Sequence, residues 1–311
     1  MSAKAILLAL FSFSSLYSSG QARLIATTTQ NNSDRSVSIF ANSQAYADYT
    51  LKITFTSLDG YTSRSLFTSN IALVTVSPGY AEVIKLLPEN SARSFSYQFK
   101  SQYFPGRAFR RMPDTSFQYL LPGSTGNHLR VSSVSSTVSL LSQKLGSQYR
   151  GTGFVYKLND TICASRAGTV FECSDTAKLG EKGGVIFTSG RNRIAIEHRD
   201  GTLGIYGITA PIQLLVSPGD VVFPGQPLAI FNKESEKYTL LFSTCYLDEK
   251  KLLADNSPDN KLYFIYIPTH FYGNENEPST VLQVNNGYTV QHPVNIIAAE
   301  MSKKEKKKFG Y

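Results

Sequence analysis

The side chains able to hold a metal or activate water are few. Four histidines (His128, His198, His270 and His292) and three cysteines (Cys163, Cys173 and Cys245) are spread over 311 residues. The cysteines are not at C-x-x-C spacing, so they predict no structural zinc site. A hydrolytic zinc needs three protein ligands and an open position for the attacking water. The candidates for such a set in the second half of the chain are Glu197, His198, Asp200 and Asp248. His198 precedes an Asp200-Gly201 turn signal, which predicts a half-exposed residue at a strand end. Cys163 and Cys173 lie symmetrically about Ala167-Gly168-Thr169. A tight hairpin there would set them opposite one another for a disulfide; burial as separate small apolar residues is the other reading.

The elements that must position these groups read as strands. Short runs rich in Val, Ile, Tyr, Phe and Thr alternate with Gly, Pro, Asn, Asp and Ser clusters. Runs at 36–41, 49–56, 72–76 and 94–99, with turns at Leu58-Asp59-Gly60 and Ser77-Pro78-Gly79, predict a β-sandwich-like domain over 23–106. Residues 107–161 read as a basic connector and opening strands, 162–248 as a second β core, and 249–311 as further strands, a loop at 255–260 and a basic helical tail. The tail helix is predicted to start near Pro293 and to run into the lysines at 303–308, where cations suit the helix dipole.

Composition limits the function. A hydrophobic content of 41%, with 18 Tyr and 19 Phe, suits a sizeable core and excludes a disordered polyelectrolyte. Between Arg93 and Arg150 eight cations face only Asp114, so this stretch carries +7 of the total +8. Arg107, Arg110 and Arg111 cluster on a Pro- and Gly-flanked segment and are the candidates for attracting an anionic partner. No nucleic-acid-binding motif is present. Lys4, the largely apolar run 5–17 and the small residues ending at Ala22 predict an export signal over 1–22 and a mature chain without a transmembrane segment.

Three segments together carry a family resemblance. Ala164, Gly168 and Val170 surround one turn, and Ile196-Glu197-His198-Arg199-Asp200-Gly201 ends a strand. Val216-Ser217-Pro218-Gly219-Asp220-Val221-Val222-Phe223-Pro224-Gly225-Gln226-Pro227-Leu228 forms a doubled glycine hairpin. Biotinyl and lipoyl carrier domains share that hairpin, but no Lys lies between His198 and Ile230 to be modified. In order and spacing the segments resemble the M23 (lysostaphin, LytM) zinc endopeptidases, which cut peptide cross-links in bacterial cell walls. Phe117-Gln118-Tyr119-Leu120-Leu121-Pro122 and Gly126 look like the opening strand of such domains. His292-Pro293 and 300–305 look like the tail of exported Bacteroidetes-type relatives. The resemblance implies an M23-like barrel-sandwich β domain after the sandwich.

It also implies a site that this sequence lacks. The family's H-x-x-x-D motif falls on Tyr149 to Gly153, so that Tyr149 and Gly153 replace two ligands. Its Y-x-H-L motif falls on Tyr206-Gly207-Ile208-Thr209, so that Ile208 replaces the catalytic His. Its H-x-H-F motif falls on Thr239-Leu240-Leu241-Phe242, which loses both His. No metal and no cofactor are then expected. A groove lined by Tyr149, Tyr206, Thr239 and Leu241 would act by binding peptidoglycan or a cell-wall hydrolase in the periplasm or envelope. The alternatives are an envelope assembly protein and an active metalloendopeptidase with a relocated site.

Overall fold

The computed structural model describes residues 24–66, 68, 70–89, 94–132, 149–176, 178–182, 185–189, 192–208, 210–232, 238–254, 263–273 and 281–311. The expected signal (1–22), Arg93, Lys144, Thr209 and the loop at 255–260 lie outside them. The strands in chain order are β1 (Ile25–Asn31), β2 (Val37–Ser43), β3 (Tyr49–Asp59), β4 (Tyr61–Thr62), β5 (Ile71–Val76), β6 (Gly79–Pro88), β7 (Ser96–Pro105), β8 (Ala108–Phe109), β9 (Gln118–Tyr119), β10 (His128–Ser132), β11 (Thr152–Tyr156) and β12 (Thr161–Cys163). They continue as β13 (Gly168–Asp175), β14 (Lys178–Lys182), β15 (Val185–Ser189), β16 (Asn192–Glu197), β17 (Leu203–Ile208), β18 (Gln213–Leu214), β19 (Val221–Val222), β20 (Pro227–Ile230), β21 (Tyr238–Asp248), β22 (Phe264–Ile267), β23 (His270–Phe271) and β24 (Gly287–Thr289). Helices are short: α1 (Glu249–Ala254), α2 (Val294–Ile297) and α3 (Lys303–Phe309). None among the described residues is long and apolar enough to cross a membrane.

The chain divides into two compact units. The first takes Met1–Gln44, Leu51–Val74 and Gly79–Tyr103. It holds an antiparallel sheet β1-β2-β6-β4 and a second sheet β5-β3-β7, and the four expected strands are present as β2, β3, β5 and β7. Ile39, Ile84 and Leu86 from one sheet, and Leu51, Ile53 and Phe55 from the other, are buried. In β6, Ile84 and Leu86 alternate with exposed Lys85 and Leu87, the period-2 pattern of a half-buried strand, whereas Thr50 and Lys52 on either side of Leu51 are themselves buried.

The second unit takes Ala45–Thr50, Thr75–Pro78 and Phe104–Tyr311. Its main sheet runs β19-β13-β16-β17-β21-β11-β10-β24, with β22 and β8 also pairing with β21. A small sheet, β12-β20-β18, contributes Ile162, Leu228 and Ala229 to the same core as Phe154, Ile194, Ile196, Tyr206, Leu240 and Phe242 of the main sheet. Burying each such side chain contributes roughly 1.5–3 kcal/mol, which is what holds the two sheets together.

Local chemistry accounts for the glycine hairpin. Ser217-Pro218-Gly219-Asp220 and Phe223-Pro224-Gly225-Gln226 are two turns, each closed by a backbone bond from its fourth residue to its first, 3.1 and 3.0 Å. Pro supplies the fixed φ of the second position, and Gly at the third takes φ of 99° and 84°, as a type II turn requires. Asp220 and Gln226 side chains accept from the amides of Ser217 and Phe223, which locks both turns. Gly219 and Gly225 then donate to the carbonyls of Val170 and Ala164, pinning the hairpin to the chain around β12 and β13.

Two expectations fail here. The tail is not one helix from Pro293: α2 ends at Ile297, and α3 begins anew with Ser302 and Glu305 in a reciprocal capping box. Ser favours that cap because its hydroxyl satisfies an amide that an unbroken helix would not leave free. Cys163 and Cys173 do not face each other either. β12 pairs with β20 and β13 with β16, and all three cysteines are free thiols.

Candidate functional site

The antiparallel ladder brings two of the replaced positions, Gly153 and Leu241, together on one face of the main sheet. Gly153 of β11 lies opposite Leu241 of β21, Leu241 opposite Gly207 of β17, Gly207 opposite Arg193 of β16, and Arg193 opposite Ser174 of β13. Directly paired residues project to the same side, so these form one row across five strands. Residues one step along each strand (Phe154, Leu240, Ile208, Ile194) point the other way, into the core.

That alternation corrects part of the expected groove. Tyr206 is 0% exposed, packed edge-on against Phe242, with its hydroxyl accepting from the Ser165 amide at 2.8 Å. Burial pushes its phenol pKa up. Ile208 is buried opposite Leu240. Neither lines a surface shared with Leu241; the residue of β17 that does is Gly207. Because side chains alternate with period 2, a register one residue off moves a position through the sheet.

Tyr149, Gly153, Thr239 and Leu241 do lie toward this face. The Tyr149 ring rests on Tyr266 with centroids 4.7 Å apart, and its hydroxyl bonds Ser243, which pairs with Ile205 two residues along from Leu241. Burial raises the Tyr149 phenol to about 12, so it is neutral and no phenolate ligand. Gly153 is crowded: a Cβ there would come within 2.5 Å of the Ser132 hydroxyl. Gly207 is open, its nearest neighbour the Leu241 carbonyl at 3.6 Å from a Cβ position.

The family's zinc does not fit these residues. Gly153 and Gly207 have no side chain, Leu241 is a hydrocarbon and Tyr149 is a neutral phenol. No group of three His, Cys, Asp or Glu side chains that could hold a metal occurs among the described residues. The relocated set does not converge either. Glu197 and His198 are consecutive, and their side chains meet different surroundings: Glu197 meets Asp48 and Arg107, His198 meets Tyr119 and Ala167.

His198 is not half-exposed, as its turn position predicts, but 1% exposed. Its Nδ1 donates to the Ala167 carbonyl at 2.8 Å, and burial together with the nearby Arg166 charge lowers its pKa to about 3. Gly204 makes room for the ring, since a Cβ there would reach 2.7 Å from Nε2. Beside it, Arg166 is 3% exposed yet fully engaged. It forks onto Glu300 at 3.0 and 2.6 Å, meets Asp200 at 2.9 Å and Tyr119 at 3.1 Å, and lies 3.8 Å from the Phe117 ring centre. This is a structural clamp on the residues before α3.

Sequence reasoning missed two participants on the row's face, Arg193 and Glu172. Arg193 has NH1 3.5 Å from Glu172, and its Nε is buried without a hydrogen-bond partner among the described residues. The alternation Arg193-Ile194-Ala195-Ile196 was the available signal for its orientation. Further along, Glu197 accepts the Asp48 amide at 2.9 Å, and Arg107 meets the Asp48 carboxylate at 3.0 Å. Burial raises the Glu197 carboxyl to about 7.

The arginine cluster is largely spent internally. Arg107 pairs with Asp48 and Glu197, Arg110 with Glu249, and only Arg111 is exposed with no ion pair among the described residues. The remaining histidines are dispersed. His128 is exposed on β10, His270 sits on β23, and His292 reaches the Gly123 carbonyl at 3.0 Å.

No family model matches this chain, and no curated protein matches it. Among solved structures it is similar to a putative glycyl-glycine endopeptidase LytM from Ruminococcus gnavus ATCC 29149, with 14% identity and a TM-score of 0.30 over 50% of this chain and 57% of that one. It is similar to a zinc containing peptidase from Vibrio cholerae, with 14% identity and a TM-score of 0.23 over 67% and 74%. A third is Helicobacter pylori Csd3, with 13% identity and a TM-score of 0.28 over 91% and 82%. The chain thus spans little more than half of the first of these.

Proposed function

We propose that this chain is an exported, catalytically inactive M23-like protein that acts by binding in the cell envelope, on peptidoglycan or on a cell-wall hydrolase. The observation that carries the reading is the row Gly153–Leu241–Gly207: the motif alignment expects metal ligands at Gly153 and Leu241, and with Gly207 beside them the row is a floor of two glycines and one leucine. Such a surface keeps the shape of a substrate platform while offering no Lewis acid and no general base. Tyr149 and Tyr266 at its side supply flat apolar faces with polar tips, suited to sugar rings and peptide. The first unit would act as a spacer or an interaction domain.

The test is sedimentation of the full chain with purified sacculi. The wild type should pellet with them and release no soluble fragments when zinc is added. Gly207→Tyr fills the floor at a position where a Cβ meets only ordinary contacts, and should weaken pelleting at least about tenfold with the fold intact. Fragment release would establish an active peptidase instead. Absence of pelleting, with no amidase captured from envelope extract, would favour the assembly role.

A further inference from the structure

Arg107 and Arg110 of the connector are ion-paired, but the lysines of α3 are not. No ion pair engages Lys303, Lys304, Lys306, Lys307 or Lys308 among the described residues. At 3.6 residues per turn, Lys303, Lys307, Lys304 and Lys308 fall within an arc of about 140°, and all four are exposed. The other side of the helix is its attachment. Glu305 and Lys306 are half-buried, and the Phe309 ring packs at a tilt against Phe223 with centroids 4.9 Å apart. The helix's one carboxylate, Glu305, is turned back to accept the Ser302 amide at 2.7 Å and forms no ion pair among the described residues, so a single acid stands against four exposed lysines. Gly310 in the left-handed conformation closes the last turn. The cationic face is therefore held by a capped, docked helix.

Apolar groups flank it. Phe309 is 44% exposed, Tyr311 47%, and Val221, two residues from Phe223, 60%. We propose that this end of the second unit is a peripheral docking surface for a bilayer rich in anionic phospholipid headgroups. Lysine ammoniums are point charges that follow a diffuse layer of phosphates without needing a fork geometry. Clustered lysines beside exposed aromatics suit the headgroup boundary, where charge and apolar surface are both accommodated. A water-soluble polyanion would use the lysines and gain nothing from Phe309, Tyr311 and Val221. The proposal is independent of the wall-binding reading, which rests on a different surface.

The test is sedimentation of the full chain with vesicles of equal parts phosphatidylglycerol and phosphatidylcholine, and with phosphatidylcholine alone, at about 0.1 M salt. Binding is expected to the first and to be at least about tenfold weaker to the second. The quadruple variant K303Q/K304Q/K307Q/K308Q should lose at least about tenfold on the anionic vesicles, and Tyr311→Ser should lose a few-fold. Arg111→Gln, a cation removed elsewhere, should bind as the wild type does. All these side chains are exposed, and an unchanged circular dichroism spectrum checks the fold. Equal binding of the quadruple variant would overturn the proposal. So would wild-type binding to soluble polyphosphate with none to either vesicle.

Discussion

Gly153 and Leu241 lie directly opposite one another on adjacent antiparallel strands, on the sheet face turned away from the core that holds Phe154 and Leu240. Gly207 flanks Leu241 on its other side. A metal site needs side chains that reach a common point from neighbouring strands. This row has the placement for that and none of the donors.

Metal content follows directly. Stripped of metal and then offered zinc, the full chain should retain well under one equivalent by elemental analysis, because the row presents no imidazole, thiolate or carboxylate. One tightly held equivalent would contradict the assignment of the row. Restoring a carboxylate at Gly153 requires room: Gly153→Asp alone should destabilise the protein through its clash with Ser132, and Ser132→Gly should relieve much of that loss.

Glu197 sets a pH dependence. Its folded pKa of about 7 lies above the ordinary value of 4.5, so between those values the folded state holds a proton that the unfolded state has released. Stability attributable to this residue therefore falls as pH rises from about 4.5 to about 7, and stays low above that. Glu197→Gln keeps an acceptor for the Asp48 amide and removes the titration. In urea melts the variant's advantage should be near zero at pH 4 and grow to as much as ~3 kcal/mol at pH 8. A constant difference across that range would mean that the carboxyl titrates alike in the folded and unfolded chain.

The Arg166 clamp should be costly to break from the cation's side. Arg166→Ala strands Asp200 and Glu300 and removes the ring contact with Phe117, for an expected loss of about 3–5 kcal/mol. Glu300→Ala should cost less, since Asp200 and Tyr119 still engage the guanidinium. That variant should also expose the lysines of α3 to trypsin faster while the rest of the unit resists. If the two variants melt alike and digest alike, the clamp is not what holds the tail.

Thiol reactivity should separate the three cysteines. Burial raises Cys163 to about 11 and Cys245 to about 12, whereas Cys173 is half-buried, with its thiol 3.6 Å from the Val216 carbonyl. Native protein at pH 8 should titrate at no more than one site, Cys173, and at three when unfolded. Cys173→Ser should silence the native reaction. Fewer than three thiols in non-reducing denaturant would mean a disulfide that the strand pairing does not permit.

Much of this protein was readable from the chain because it is local. Pro-Gly pairs in 217–226 specify two type II turns whatever surrounds them, the alternating runs specify strands, and positions 149, 153, 239 and 241 carry no imidazole, thiol or carboxyl group. Tertiary structure decided everything that depends on which strand lies beside which. Whether Gly207 or Ile208 shares a face with Leu241 is a question of one residue in register with β21, and turn chemistry cannot answer it. The burial of His198 depends on Tyr119 and Ala167, far away in sequence, and on the gap left by Gly204. Arg107 and Arg110 are ion-paired with Asp48, Glu197 and Glu249, partners between about 60 and 140 residues distant, whereas Lys303, Lys304, Lys307 and Lys308 of α3 face solvent. Net charge is a property of composition, but the charge a surface presents is settled only after folding has paired some of it away.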